Sequence, residues 1–251
     1  MKNCVLYISP NGKIPYIHET FKDSDVYYVT YLRECAGSIG FNKGANWIYN
    51  RNDLAKKIEK KYEYYIFMDY DVVFDCGDTE RKINEYLQEY YPAIMTPINA
   101  KKEKMVKGKI ENNPLTNNHV KIIHHSLVDY FFPMLDRFGG FWDGAIFFAT
   151  LATAFRSNII HVHDIPCRGM VSANYAHNKN ALVGKTAMDN LFNWIKPSLG
   201  ERLQYASRGE LEKNETKHFG EIIKSPKDVI YTFDKRYVDI THDIFSYRNA
   251  K

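Results

Sequence analysis

The sequence has little cysteine, and its cysteines form no recognisable motif. Only four occur among 251 residues, and no Cys-x-x-Cys pair is present. Disulfide frameworks and cysteine-based zinc sites need paired or regularly spaced cysteines. The sequence therefore predicts neither kind of site, and we expect the thiols of Cys4, Cys35, Cys76 and Cys167 to be reduced.

Long hydrophobic runs are also missing. A membrane-spanning helix needs about 18 or more consecutive apolar residues, and no such run occurs in the sequence. A secretory signal has a long apolar segment after a basic start, and the N-terminus has no apolar segment of that length. We therefore expect a cytoplasmic protein that can associate peripherally with a membrane surface but does not cross the membrane.

Charge of one sign is not in large excess. The net charge of +4 is mild, whereas nucleic-acid binding usually needs a dense basic stripe. We expect no nucleic-acid partner, and the mild positive charge suits a small anionic substrate. No feature of the composition indicates an oligomeric state.

The pattern of apolar residues predicts an α/β fold. Strand-like and helix-like segments alternate, and strand–helix–strand units of these lengths favour one open, twisted and mostly parallel sheet flanked by helices. The predicted strands cover residues 4–8, 26–31, 64–71, 93–98 and 159–163, and the predicted helices cover residues 45–61, 79–90 and 145–155.

Two other regions are polar and weakly periodic. Residues 101–118 are basic and rich in Asn, and so long a loop in a compact domain is either disordered or a functional lid. From about residue 196 the chain loses its apolar periodicity. We therefore divide the chain into a domain over residues 1–195 and a C-terminal appendage over residues 196–251.

An Asp-x-Asp pair follows the most apolar of the predicted strands. Residues 64–71 read Tyr-Tyr-Ile-Phe-Met-Asp-Tyr-Asp, so Asp69 and Asp71 end a buried strand and share a face if the strand stays extended. Carboxylates in such a place need a cation, and Mg²⁺ or Mn²⁺ prefers oxygen ligands. A second Asp-x-Asp pair, at residues 23–25, follows polar residues and is typical of a turn.

Three further motifs accompany this pair in a fixed order. Residues 40–47 (Gly-Phe-Asn-Lys-Gly-Ala-Asn-Trp) lead into the helix predicted before the pair. Residues 139–143 (Gly-Gly-Phe-Trp-Asp) and residues 160–163 (Ile-His-Val-His) come after the pair. Together the motifs resemble those of GT-A-type, nucleotide-sugar-dependent glycosyltransferases. The resemblance implies a GT-A-like fold over residues 1–195. It also implies a hexosyl- or pentosyltransferase of the kind used in polysaccharide biosynthesis, with Mn²⁺ or Mg²⁺ as cofactor, UDP-sugar as the preferred donor and a glycan or glycoconjugate hydroxyl as acceptor.

The resemblance also implies which residues hold the metal. Asp71 is the better choice for direct ligation, with Asp69 contacting the ribose of the donor or the metal through water. His163 completes the coordination shell in this interpretation, and His161, two residues earlier on the same strand face, competes with it. His177 is an alternative from a loop. Each histidine is equally well explained as a packed core residue.

Other residues are candidates for contacts with the two substrates. Asp143 is either the general base that takes the proton of the acceptor hydroxyl or an N-cap for the helix that follows it. Trp142 either stacks on the acceptor sugar or packs. Lys43 and Arg51 either approach the diphosphate or are solvated charges, and Tyr31 is a candidate for stacking on uracil.

One departure from the resemblance leaves the stereochemistry open. Many inverting members carry a Glu-Asp pair after the Gly-Gly segment, and residues 149–155 contain no acid. A haloacid-dehalogenase-like phosphatase or phosphotransferase, with Asp69 as nucleophile, is the main alternative, although that family places its motif on the first strand. A non-catalytic carbohydrate-binding protein is the other alternative.

Overall fold

A computed structural model of the chain describes residues 2–44, 47–59, 61–101, 103–112, 119–132, 158–170 and 222–232. Within these residues, nine strands form one sheet. They are β1 (Asn3–Ser9), β2 (Asp25–Thr30), β3 (Gly40–Phe41), β4 (Tyr64–Asp69), β5 (Val72–Phe74), β6 (Ile94–Asn99), β7 (Ile110–Glu111), β8 (Val120–His124) and β9 (Ile159–Gly169). The helices are α1 (Pro15–Thr20), α2 (Trp47–Lys57), α3 (Thr79–Tyr90) and α4 (Val128–Phe131), the last preceded by a 3₁₀ turn at His125–Leu127.

The sheet is mixed, with the strand order β3-β2-β1-β4-β8-β6-β9-β5 and β7 paired to β9. The pairs β2–β3, β1–β2, β1–β4 and β6–β9 are parallel, whereas β8 runs antiparallel to both β4 and β6. The predicted α/β class is confirmed. The sheet is less parallel than predicted because the antiparallel strand β8 lies between β4 and β6. No feature of the sequence indicated the direction of β8.

This topology gathers particular strand ends at one edge of the sheet. Because β8 is antiparallel to both of its neighbours, β4 and β6 point the same way, and β1, β2 and β9 point with them. The carboxyl ends of these five strands therefore meet at one edge, beside the amino end of β8. In open α/β sheets ligands bind at this edge.

A large cluster of the hydrophobic core lies on one face of the sheet, between β4 and two helices. Ile66 and Met68 of β4 pack in one buried cluster with Ile83 and Leu87 of α3 and with Ile17 of α1. Full burial of such a side chain stabilises the fold by roughly 1.5–3 kcal/mol. Since side chains alternate along a strand, Phe67 and Asp69 face the opposite side, where α2 lies.

Several predicted elements are confirmed, some with shifted ends. The helix predicted over residues 79–90 is α3, which ends where Tyr91 adopts a left-handed conformation (φ 43°) before Pro92. The strand predicted over residues 159–163 continues to Gly169. Pro97 pairs with Val162 and Ile98 with Pro166, so three residues of β9 form a bulge and pairing resumes after it. Part of the segment predicted as a loop, Ile110–Glu111, pairs with β9.

A C-terminal segment packs against the sheet domain. The Tyr231 hydroxyl donates a hydrogen bond to the Tyr91 carbonyl (2.5 Å), and the Ser225 amide donates one to the Tyr90 carbonyl (2.9 Å). The boundary at residues 195–196 stays a prediction, since most of the appendage lies outside the described residues. In the described part of the chain, no helix is long and apolar enough to cross a membrane.

Candidate active site

The Asp-x-Asp pair lies at the carboxyl edge of the sheet, as predicted. Asp69 is the last residue of β4, and Asp71 lies in the turn that connects β4 to β5. The backbone carbonyl of Asp71 accepts a hydrogen bond from the amide of Met170, just after β9 (2.8 Å). The turn is therefore fixed to the end of a second strand, which keeps the two carboxylates at the same edge.

Asp69 is buried, and both of its carboxylate oxygens are engaged. Arg51 of α2 donates a hydrogen bond from Nη2 to Oδ1 (2.9 Å), and His119 Nδ1 lies 3.2 Å from Oδ2. The side chains of Arg51 and Asp69 are only 2% and 6% exposed. The guanidinium therefore compensates a carboxylate that the sheet removes from water. Contact of Arg51 with a diphosphate stays a prediction.

His119 is a site residue that the sequence motifs did not indicate. It precedes β8, and only the antiparallel direction of β8 brings it to the carboxyl edge, where its carbonyl accepts a hydrogen bond from the Asp69 amide (3.0 Å). A Cβ added at Gly169 would lie 3.4 Å from Asp71 Oδ2 and 3.5 Å from His119 Cε1. The missing side chain at Gly169 therefore leaves a small space bordered by a carboxylate and an imidazole.

These donors fit a divalent cation. Carboxylate oxygens suit Mg²⁺ and Mn²⁺, and a neutral imidazole is an accepted additional ligand for Mn²⁺. Asp71 is only partly buried, whereas the side chain of Asp69 is 6% exposed. Asp71 is therefore the more accessible of the two carboxylates, and its direct ligation of a metal stays a prediction.

Tyr31 lies close to both carboxylates. It directly follows β2, and burial raises the pKa of Tyr31, with further increases from Tyr70, Asp71 and Asp69. Burial and the same two carboxylates also raise the pKa of Tyr70. A tyrosine at the end of β2 is thus within electrostatic reach of the Asp-x-Asp turn, whereas Lys43 is exposed in the turn after β3.

A row of polar side chains crosses the α2 face of the sheet. In the strand register, Lys121 of β8 lies opposite Phe67 of β4, and His161 of β9 lies opposite Thr96 of β6. All four side chains are on the same face of the sheet as Asp69. Lys121 is buried, and its burial, followed by the charge of Arg51, lowers the pKa of Lys121 to about 7. Sequence reasoning missed this lysine, although a lone Lys inside the apolar strand Val120–His124 is the signal that would have found it.

His161 and His163 contact β7 and the segment that leads into it. His161 Nε2 lies 2.6 Å from Glu103 Oε2, and His163 Nε2 lies 3.2 Å from Glu111 Oε2. Burial would raise the pKa of Glu103, but the hydrogen bond and charge of His161 outweigh it and lower that pKa. Whether either histidine completes a metal shell with Asp71 stays a prediction.

The predicted acceptor-side residues and one alternative metal ligand lie outside the described residues. Asp143 and Trp142 belong to residues 133–157, and His177 belongs to residues 171–221. Their roles therefore stay predictions.

Comparison with known proteins gives similarity of fold at low sequence identity. No protein-family model matches the chain, and no curated protein matches its sequence. TarS from S. aureus (residues 1–349) is 14% identical with a TM-score of 0.51, over 86% of this chain and 79% of that chain. A mannosyltransferase, PcManGT from Pyrobaculum calidifontis in complex with GDP-Man and Mn²⁺, is 11% identical with a TM-score of 0.55, over 84% and 68%.

A further solved structure agrees with these two. GalNAc-T7 with UDP, GalNAc and Mn²⁺ is 10% identical with a TM-score of 0.55, over 98% of this chain and 58% of that chain. The fold is GT-A-like. Identities this low establish the fold alone, so the chemistry of the chain has to be argued from its own residues.

Proposed function

We propose that the chain is a metal-dependent glycosyltransferase that moves a sugar from a UDP-sugar to a hydroxyl of a glycan or glycoconjugate. The observation that carries the proposal is the Asp69–Asp71 turn at the carboxyl edge of a GT-A-like sheet, with Tyr31 beside both carboxylates. The solved neighbours support the choice of ligands, since TarS was determined in complex with UDP-GlcNAc and GalNAc-T7 with UDP and Mn²⁺.

The role of the metal site follows from the leaving group. A sugar leaves a nucleoside diphosphate readily only when the charge that develops on the diphosphate is neutralised, and bound Mn²⁺ or Mg²⁺ supplies that as a Lewis acid. Asp71 would ligate the ion directly, with His119 next to it. Asp69, held by Arg51 and His119, would orient the turn and contact ribose or a metal-bound water.

The remaining donor contacts follow from position. Tyr31 would stack on the uracil ring, because it directly follows β2 at the carboxyl edge of the sheet and is close enough to the two carboxylates for their charges to raise its pKa. Lys43 is exposed close after β3 and would reach the diphosphate. On the acceptor side, Asp143 would take the proton of the attacking hydroxyl and Trp142 would contact the acceptor sugar.

The phosphatase alternative has less support. It requires Asp69 to attack phosphorus with a carboxylate oxygen, and both oxygens of Asp69 already have protein partners. In addition, β4 is the fourth strand in the chain rather than the first. A non-catalytic carbohydrate-binding protein is separated from an enzyme by an activity measurement.

The test is a screen of nucleotide sugars with and without Mn²⁺, measured by release of nucleoside diphosphate and by thermal shift. We expect one UDP-sugar to be turned over only with Mn²⁺ and to stabilise the protein. A ligand at 100 times its Kd adds about 2.7 kcal/mol of stability. Hydrolysis of p-nitrophenyl phosphate without any turnover of nucleotide sugar would favour the phosphatase, and binding without turnover would favour the carbohydrate-binding protein.

A further inference from the structure

A second group of metal-binding side chains lies on β9 and the segment packed against it. One ligand atom from each of Glu103, His161 and His163 lies within 4.8 Å of the others. Both histidine side chains are almost fully buried. The transfer chemistry proposed above uses Asp71 and His119, so it needs neither Glu103 nor the two histidines, which the sequence had also suggested for the donor metal.

Both imidazoles are oriented through their other ring nitrogen. His161 Nδ1 is 2.9 Å from the Thr96 hydroxyl, and His163 Nδ1 is 3.3 Å from the Lys104 carbonyl. A carbonyl can only accept, so His163 Nδ1 must carry the proton. A neutral His163 therefore presents an unprotonated Nε2 to the cluster. Metal-ligating histidines are usually held by an outer oxygen in this way.

The Nε2 atom of His163 has no hydrogen bond among the described residues. It is buried, and it lies 3.2 Å from Glu111 Oε2 without hydrogen-bond geometry. A nitrogen lone pair that faces a carboxylate in a buried place is unfavourable, so this nitrogen must either carry a proton or ligate a cation that both groups contact. Because Nε2 lacks the hydrogen-bond geometry that a proton shared with Glu111 would give, the buried nitrogen favours a bound cation, and this observation is independent of the cluster's composition.

The two carboxylates are also held from outside. Glu103 Oε1 accepts a hydrogen bond from the Asn99 amide (3.1 Å), while its Oε2 contacts His161. Glu111 Oε1 pairs with Lys109, while its Oε2 points to His163. In each carboxylate one oxygen is fixed by the protein and the other is directed at an imidazole.

We propose that Glu103, His161 and His163 bind a divalent transition-metal ion of the Zn²⁺ class, with Glu111 beside it, at a site separate from the donor metal. Imidazole nitrogens combined with carboxylate oxygens suit Zn²⁺, whereas Mg²⁺ and Ca²⁺ prefer oxygen ligands alone. The ion fastens the segment around β7 to β9. A two-residue strand such as Ile110–Glu111 has few ladder hydrogen bonds of its own to hold it there.

The experiment uses the full chain, stripped with EDTA and free of nucleotide sugar. Equilibrium dialysis and calorimetry with Zn²⁺ alone should give one tight ion per chain, with slower amide exchange in residues 103–111. His163→Gln or Glu103→Gln should weaken binding at least about 100-fold, and Thr96→Val roughly 10–100-fold, since it removes only the outer contact of His161. The exposed His125→Gln serves as the matched control and should change nothing.

Several results would overturn the proposal. One is a wild-type protein that takes up no Zn²⁺, and another is His163→Gln binding Zn²⁺ as tightly as the wild type. Loss of the tight ion in Asp71→Ala would mean that the ion sits at the donor site instead. If His163→Gln does not fold, the wild-type titration and the milder Thr96→Val decide the matter. Because no donor is used, failure of the transferase proposal leaves this test intact.

Discussion

The guanidinium of Arg51 and the carboxylate of Asp69 form an ion pair of 2.9 Å that is almost completely removed from water. Arg51 belongs to α2 and Asp69 ends β4, so the pair joins a helix to the carboxyl edge of the sheet. The guanidinium also lies 5.8 Å from the centroid of the Phe67 ring. The pair therefore fixes the first carboxylate of the Asp-x-Asp turn.

Arg51→Ala should destabilise the protein by about 3–5 kcal/mol, because it leaves a buried carboxylate without its cation. The free energy of unfolding in urea measures the loss. Lys57→Ala is the control, since Lys57 pairs with Asp53 at 2.8 Å on the exposed side of the same helix, and such pairs contribute about 0.3–0.5 kcal/mol. Similar losses in the two variants would contradict the structural role given to Arg51.

Lys121 should make stability depend on pH. Its pKa is about 7 in the folded protein, against an ordinary lysine value of 10.5, so the unfolded chain binds more protons between these values. The stability of the wild type should therefore rise with pH in this window, by at most about 1.4 kcal/mol per unit.

Lys121→Met removes that dependence. Below pH 7 the variant should be more stable than the wild type, because the wild type then buries a charged lysine. This difference in unfolding free energy should shrink by roughly 2 kcal/mol between about pH 7 and about pH 9. Urea unfolding at a series of pH values provides the measurement, with the exposed Lys227→Met as control. An advantage that does not change with pH would mean that Lys121 keeps its proton in the folded protein.

Tyr31→Ala should weaken binding of the UDP-sugar by about 1–3 kcal/mol, roughly 5- to 150-fold in Kd, if the ring stacks on uracil. Tyr31→Phe keeps the ring and should bind almost as the wild type does. Calorimetry with UDP and Mn²⁺ gives both constants. Equal weakening in the two variants would assign the effect to the hydroxyl rather than to stacking.

Asp143→Asn separates the two roles proposed for Asp143. Asn caps helices about as well as Asp, so the folded stability and the donor affinity should stay near those of the wild type. Loss of a general base should slow sugar transfer by about 10²–10⁴-fold. Transfer within a few-fold of the wild-type rate would leave Asp143 as a cap only, and would favour a retaining reaction in which the phosphate of the donor takes the proton.

The parallel half of the fold was predictable because its signals are local. The apolar run before Asp69 marks β4, and the helix over residues 79–90 was predicted with its observed ends. Direction and order of the remaining strands depend on long-range pairing. Nothing near Val120–His124 indicates that this strand inserts antiparallel between β4 and β6.

The same reason explains which site residues were missed. Asp69 and Asp71 share a motif, whereas His119 joins them only through the direction of β8. The sequence left Arg51 as either a diphosphate contact or a solvated charge, because the motif alone could not show that Arg51 would be buried against Asp69. Glu103 meets His161 from 58 residues away, a pairing set by the position of β7 on β9.

The central claim is that Asp71 holds the metal that binds the donor. The most direct measurement is the shift in unfolding temperature caused by UDP-sugar with and without Mn²⁺, for Asp71→Ala and for Asp23→Ala. Asp23 is the exposed first residue of the other Asp-x-Asp pair, at the start of β2. We predict that Asp71→Ala loses the Mn²⁺-dependent part of the shift together with turnover, while Asp23→Ala keeps both. A Mn²⁺-dependent shift of the same size in the two variants would contradict the claim.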